Sequence, residues 1–418
     1  MSDNIQLKRW VSERLPKSNE RTLVLVTGAR QTGKTTLARK VYPDLKYWNL
    51  DALELRDDLH AVSSFKWGGT VGASILDEAQ KLPELFDKIK YAYDEGSVKF
   101  SVLLGSSQIL LNRRVGESLA GRILIYELWP LVYSERLTED GANLRPTLLE
   151  TILSAPSMDA LLSSIPSVIA GAEGERRRDL EEDMLSWGGM PGLLGLKETR
   201  RREWLRSYEV TYLERDLSDL ARLSDLQPFR KFQRLAALRS GRLLAYSELA
   251  RDAGVSVETS RRYLEYLRLS YQAFLLQPYT HNLTSQLVKT PKLYWSDIGL
   301  LRSLTGQSGV VSGELFETWV ISDIIKYIRS RDLKVTPSYY RTRSGMEIDL
   351  VLEMEGKVFG LEVKMAEKVA ASDASSMIRV GEKLGKNWIG GVVVYRGKSI
   401  EKLGEKIWAI PSSRLLGY

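Results

Sequence analysis

The chain has 418 residues, more than one hydrophobic core organises, so roughly two to four domains are expected. It has no cysteine, which excludes disulfides and Cys-based zinc sites, and only two histidines, which leave almost no capacity for His-centred catalysis, so the chemistry falls to carboxylates, Lys, Arg and backbone groups. With 43% hydrophobic residues, a net charge of +7, no long apolar run and no apolar stretch in MSDNIQLKRW, the composition reads as a cytoplasmic globular protein with no membrane partner and an affinity for polyanions.

The first element is the apolar run Leu23 to Val26, which suits a parallel strand buried on both faces. Gly28-Ala29-Arg30-Gln31-Thr32-Gly33-Lys34-Thr35, followed by Thr36, fits GxxxxGK[ST] in the strand-loop-helix setting that a phosphate cradle needs. The glycines let backbone N–H groups close on phosphate oxygens of ATP, Lys34 reaches the β- and γ-phosphates, and Thr35 ligates Mg²⁺. A second apolar strand ends in Asp77 and Glu78. That pair suits a carboxylate in the Mg²⁺ shell and one that orients the attacking water. A third run, Phe100 to Leu104, ends in Gly105-Ser106-Ser107, where Ser106 or Ser107 either senses the γ-phosphate or forms an ordinary strand-end turn. Arg122 is a candidate arginine finger or sensor, with Arg113 and Arg114 as competitors.

These pieces resemble an AAA+-type ATPase. More closely, G-A-R-Q-T-G-K-T-T, L-D-E-A-Q, L-L-G-S-S and E-S-L-A-G-R followed by E-L-W-P-L resemble an archaeal and bacterial ATPase family whose C-terminal portion is a domain of unknown function. Trp187-Gly188-Gly189-Met190-Pro191, Tyr212 to Asp216 and Pro291 to Asp297 extend the resemblance over most of the chain. It implies ATP binding without fixing a cellular role. An AAA-type ring, a homo-oligomer, would place an Arg from a neighbouring subunit at the γ-phosphate.

From about Leu137 to Arg234 apolar residues recur at helical spacing among charges that include Arg176-Arg177-Arg178 and Arg200-Arg201-Arg202. A helical lid beside the nucleotide, with those runs on a solvated face, is the expected arrangement. Leu243 to Ser256 then reads as a short helix, a glycine turn at Gly254 and a capping Ser256 that starts a second helix with Val257, Leu264 and Leu267 on one face. The strands Ala273 to Gln277 and Lys292 to Trp295 would form the wing of a winged helix-turn-helix. Arg261, Arg262 and Lys289 would then face DNA phosphates, although such folds also serve as protein-interaction modules.

Ser312 to Val320 opens an amphipathic helix, and GMEIDLVLEMEGKVFGLEVKM reads as a hairpin about Glu355-Gly356. That turn sets Asp349 opposite Glu362 and Glu347 opposite Lys364. These four residues then share one face, with Ile348, Leu350, Leu352, Leu361 and Val363 on the other. Opposed carboxylates repel by roughly 3 kcal/mol at about 5 Å and an effective dielectric near 20, so something must offset them. Either a second Mg²⁺ or a Mn²⁺ does so, with Lys364 orienting a water, or Lys364 balances Glu347 and Glu362 in a salt-bridge network. The pattern resembles the PD-(D/E)XK nuclease superfamily, which implies metal ligands at Glu317, Asp349 and Glu362 and a catalytic Lys364; Met346-Glu347-Ile348 stands where that superfamily often has a Pro before the Asp.

The expected architecture is α/β throughout. Residues 1–136 form a P-loop AAA+-type parallel-sheet domain and 137–234 a helical lid, followed by a winged helix-turn-helix at 235–304 and a nuclease-like domain at 305–418. The expected function is Mg²⁺-dependent ATP hydrolysis acting on DNA, with a C-terminal domain that cuts or grips it. The alternative is a nucleotide-gated switch that binds protein partners.

Overall fold

The computed structural model describes residues 7–105, 118–221, 226–279, 290–343 and 345–418, and only the backbone of 212–221. Ser106, Ser107, Arg113, Arg114, Lys289 and the side chain of Asp216 therefore lie outside the described residues. Strands β1 (Thr22–Thr27), β2 (Lys46–Asn49), β3 (Ser74–Asp77), β4 (Phe100–Gly105) and β5 (Ile123–Glu127) form a parallel sheet in the order β2-β3-β4-β1-β5. Leu23 and Leu25 pack with Trp67, Phe86 and Ile89 on one face, and Val24 and Val26 with Leu37 and Tyr42 on the other. Both faces are covered, which is why β1 has no polar alternation. The chain leaves β1 toward β4, β3 and β2 on one side and places β5 on the other. A crevice therefore opens at the carboxyl end of β1, where the glycine-rich loop begins.

Three segments far apart in sequence lock together behind this sheet. Leu131 N–H donates to the Gly189 carbonyl (2.7 Å), and Gly189 N–H donates to Asp297 Oδ2 (2.7 Å). A Cβ at position 189 would stand 2.1 Å from the Leu131 carbonyl oxygen, so only glycine permits the approach. These contacts join E-L-W-P-L, W-G-G-M-P and P-K-L-Y-W-S-D in space.

Two helices of the segment expected to form the lid contact the C-terminal part of the chain. Helix Leu148–Ser154 and helix Gly171–Trp187 bind the chain's last residues: Leu148 N–H donates to the Gly417 carbonyl (2.6 Å), Arg177 Nη2 to the Tyr418 carbonyl (3.0 Å), and Ser412 Oγ and Arg396 Nε to Glu181 (2.6 and 3.1 Å). These bonds tie both helices to the C-terminal part of the chain. The arginine run is likewise not a solvated face throughout, because Arg177 is buried and its Nε donates to Glu173 at 2.6 Å.

The two-helix unit forms as its caps require. Helix Tyr246–Ala253 ends at Gly254, whose φ of 75° closes the turn, and Ser256 Oγ accepts from Thr259 N–H (3.0 Å) to start helix Val257–Leu269. The buried face of that second helix is Ser260, Tyr263, Leu264 and Leu267; Val257, expected on it, is the helix's first residue and is exposed. Strands β6 (Ala273–Leu276) and β7 (Lys292–Trp295) pair antiparallel after it, with Leu276 opposite Lys292.

The C-terminal sheet is mixed, in the order β12-β13-β11-β10-β9-β8, with β8 Thr336–Arg341, β9 Glu347–Met354, β10 Lys357–Lys364, β11 Trp388–Tyr395, β12 Glu401–Gly404 and β13 Ile407–Pro411. Helix Gly313–Arg331 lies against one face. It is buried nearly all round rather than amphipathic, with Phe316, Trp319 and Ile321 joining Leu350, Leu361 and Val392 in one cluster. The same cluster includes Phe232, Leu264 and Trp295, so the two-helix unit and the C-terminal sheet share a core.

Candidate functional site

At the carboxyl end of β1 the loop turns through Gln31 (φ 60°) and Gly33 (φ 94°) into helix Lys34–Val41. A Cβ at Gly28 would lie 2.1 Å from the Leu128 carbonyl oxygen, so this glycine lets the loop begin directly against the end of β5. Lys34 is buried, and its Nζ donates to the Gly28 (3.0 Å) and Ala29 (2.8 Å) carbonyls, which keeps the ammonium inside the curve of its own loop. Thr35 Oγ1 donates to Asp77 Oδ2 (2.6 Å), Tyr47 Oη donates to the same oxygen (2.8 Å), and Glu78 N–H donates to Oδ1 (3.0 Å). Burial and then the bond to Asp77 raise the Tyr47 phenol's pKa, so it stays a donor. Thr35 and Asp77 together offer the hard oxygens that Mg²⁺ takes, and so fit that ion. Glu78 follows with φ 55°, and Gln80 Nε2 donates to its Oε2 (2.5 Å), holding a half-buried carboxylate at the strand end. Ala29 and Thr32 are buried, Arg30 half-buried, and Gln31 and Thr36 exposed along the cradle.

Arg122 does not join this site. It precedes β5, at the amino-terminal edge of the sheet, and its Nε and Nη2 donate to Asp94 (2.6 and 3.0 Å). A parallel sheet puts that edge a full strand length from the loop, so Arg122 cannot reach its own phosphates. Ser106, the other residue assigned to the γ-phosphate, lies outside the described residues.

Two residues that motif reading passes over brace the loop. Arg9 Nη1 donates to the Thr32 carbonyl (2.8 Å), its Nε to Glu135 Oε2 (3.1 Å) and its Nη2 to the Trp129 carbonyl, tying the loop to the segment after β5. Tyr271, in the turn between helix Val257–Leu269 and β6, is 1% exposed and packs with Ala29 and Trp129, its ring centroid 4.9 Å from that of Trp129. Its hydroxyl lies 3.3 Å from Thr27 Oγ1, and its backbone is left-handed at φ 62°. A non-glycine residue held there costs roughly 1–3 kcal/mol unless its surroundings fix it, and the loop-side packing does so. The two-helix unit therefore touches the base of the phosphate loop directly.

The acidic cluster forms, around a lysine the sequence reading left in the wing. Glu355 (φ 49°) and Gly356 (φ 77°) make the two-residue turn, and β9 pairs with β10 from Met354–Lys357 to Leu350–Leu361, the register that points Asp349 at Glu362. One detail differs. The β8–β9 register shifts between Ser338 and Tyr340, a bulge that puts Ile348 and Val351 in the cluster with Met377 while Leu350 and Leu352 stay on the Phe316 side. Strict alternation thus fails at Asp349, and its Oδ2 accepts from Val363 N–H (2.9 Å), where a continued ladder would use a backbone carbonyl.

Lys292 of β7 is 4% exposed, with its Nζ 2.6 Å from Glu347, 3.4 Å from Glu317 and 3.7 Å from Asp349. Tyr294 Oη donates to Glu317 (2.7 Å), and Lys364 Nζ donates to Glu362 Oε1 (2.9 Å). Burial, then Asp349, pushes Glu317 up to about 7 and Glu362 up to about 8, and burial raises Asp349 as well. Burial alone would lower the Lys292 pKa, but Glu317, Asp349 and Glu347 raise it instead, so the ammonium stays charged. Among the described residues no group of three metal-binding side chains is arranged to hold an ion. At the expected metal triad of Glu317, Asp349 and Glu362 the Lys292 ammonium stands against Glu317 and Asp349, where its charge offsets their repulsion. On the two-helix unit Arg261 and Arg262 are exposed, Arg261 lying over the Tyr246 ring (5.2 Å); Lys289 lies outside the described residues.

Residues 20–137 match the model of an AAA domain, residues 178–310 that of the domain of unknown function DUF8612, and residues 312–415 that of the domain of unknown function DUF4143. An uncharacterized protein of Mycobacterium tuberculosis is 27% identical over 424 residues, covering 98% of this chain and 84% of its own. An uncharacterized protein of Methanocaldococcus jannaschii is 22% identical over 396 residues, covering 87% and 80%. The solved Walker-type ATPase of Pyrococcus abyssi aligns at a TM-score of 0.45 and 18% identity, over 70% of this chain and 94% of that one. The AAA match and the loop geometry together mark the N-terminal part as a P-loop domain of the AAA type. Among the described residues no helix is long and apolar enough to cross a membrane.

Proposed function

We propose that this chain is an Mg²⁺-dependent ATPase that uses its nucleotide cycle to act on DNA. The observation that carries the reading is the Thr35–Asp77 contact of 2.6 Å beside a glycine-built loop with Lys34 inside it, a donor set suited to a metal-bound triphosphate. Mg²⁺, held by Thr35 and Asp77, would neutralise charge on the phosphate oxygens. Lys34 would exchange its two loop carbonyls for phosphate oxygens, the loop N–H groups would bind the remaining ones, and Glu78 would orient the water.

The DNA part of the reading rests on the net charge of +7, on exposed Arg261 and Arg262 in a winged helix-turn-helix arrangement, and on Tyr271, through which a change at the loop reaches that unit. The nuclease-like C-terminal domain is assigned to gripping rather than cutting, because Lys292 stands among the acids that cleavage would use. The test is ATP turnover with and without DNA. Turnover that rises with DNA and is lost in Lys34→Ala supports the proposal. A rate indifferent to DNA in the wild type would favour the protein-binding switch.

A further inference from the structure

Beyond the acidic cluster and the exposed arginines, a second charged feature sits at the opposite end of the β9–β10 hairpin. A cleft of about 700 Å³ opens between that turn, the start of β11 and helix Met158–Ser164. Lys334, Lys357, Lys386 and Lys406 line it, all exposed, and none is in an ion pair among the described residues. Two acids of the same cleft are bound by groups that do not line it, each of them by one cation. Glu150 is bound by Arg331 (2.9 Å), and Asp159 by Lys402 (2.6 Å) and Trp408 Nε1 (2.7 Å). Glu355 alone remains at the rim without a partner among the described residues, and although Lys406 also lies in the field of Asp159, the four ammonium groups leave the cleft with an excess of positive charge. Apolar residues line it as well, among them half-buried Ile389 and Met354 and buried Trp388, and form its floor.

We propose that this cleft holds a single strand of nucleic acid, its phosphates on Lys334, Lys357, Lys386 and Lys406 and its bases against the apolar floor. A free phosphate would leave most of the four lysines and the whole floor unused, whereas an unpaired strand presents repeated charge along one edge and flat apolar faces along the other. The site rests on the reading that the chain acts on DNA, and it gives the grip a location. β9 runs from the acidic cluster to the cleft, and at about 3.3 Å per residue the two lie ~20 Å apart. A strand seated on the lysines is therefore not seated on Asp349.

The test is fluorescence anisotropy of a labelled oligo-dT with the full chain over a range of salt. Compared are the wild type, the fourfold variant Lys334→Ala, Lys357→Ala, Lys386→Ala, Lys406→Ala, and a control in which the exposed N-terminal lysines Lys17, Lys46, Lys66 and Lys99 become Ala. The cleft variant is expected to bind more weakly and to lower the slope of log affinity against log salt by about 2 to 3, near 0.7 for each lost phosphate contact. The control is expected to keep the wild-type slope. A wild-type slope in the cleft variant, an equal loss in the control, or competition by poly-Glu as strong as by unlabelled oligo-dT would each overturn the assignment. Absence of oligo-dT binding by the wild type would instead overturn the DNA reading beneath it.

Discussion

Replacing Lys292 by Met keeps the length of the side chain and removes the ammonium from among Glu347, Glu317 and Asp349. At its separations of 2.6, 3.4 and 3.7 Å and an effective dielectric near 20, the gross attractions are about 6, 5 and 4 kcal/mol. Desolvation and proton uptake by the acids cancel most of this, and removing one partner of a buried ion cluster leaves a net loss of about 3–5 kcal/mol. The loss depends on pH with a definite sign. Burial and then Asp349 already push Glu317 up to about 7 and Glu362 up to about 8, and without the ammonium Glu317 rises further. The folded variant then holds protons that the unfolded chain has released, from the ordinary carboxylate range upward, and its stability falls as pH rises through that window. Denaturant unfolding at pH 5 and pH 8 is the assay, with the larger deficit expected at pH 8. A deficit below about 1 kcal/mol, or one equal at both values, would refute the claim that Lys292 offsets the acids.

Two further perturbations follow from single side chains. Asp323 is buried and accepts from Tyr133 N–H (2.9 Å), and burial pushes it up to about 7; the wild type is therefore expected to lose stability between about pH 4 and 7, by at most ~4 kcal/mol, and Asp323→Asn to flatten that slope in a pH series of thermal unfolding. Tyr271→Gly relieves the left-handed backbone but removes the ring packed on Ala29 and Trp129. It is expected to retain DNA binding and lose most of the DNA stimulation of ATP turnover, and stimulation at the wild-type level would show that the contact carries no coupling.

Features that depend on a few neighbouring residues were legible in the sequence. The loop Gly28 to Thr35, the acid at Asp77, the Gly254 and Ser256 caps and the Glu355-Gly356 turn each follow from local backbone chemistry. What escaped depends on tertiary placement. Lys292 reads as an ordinary wing residue until β7 is docked against helix Gly313–Arg331, and an alternating pattern cannot reveal that a bulge at Asp349 turns its carboxylate onto Val363 N–H. Arg122 shows the opposite failure: its residue type suits a phosphate sensor, but the strand direction puts it at the wrong edge. Arg9 and Tyr271 carry no motif, and a buried arginine or a left-handed tyrosine has no one-dimensional signal.

The central claim, that the nucleotide state of the loop is felt by a DNA-binding surface, is tested most directly by equilibrium affinity for oligo-dT with and without a non-hydrolysable ATP analogue. Coupling of this kind is reciprocal, so DNA must change analogue affinity by the same factor. The account predicts a difference of about 5-fold or more in the wild type, equal in both directions and abolished in Lys34→Ala. Identical DNA affinity with and without the analogue, in a protein shown to bind both, would contradict it.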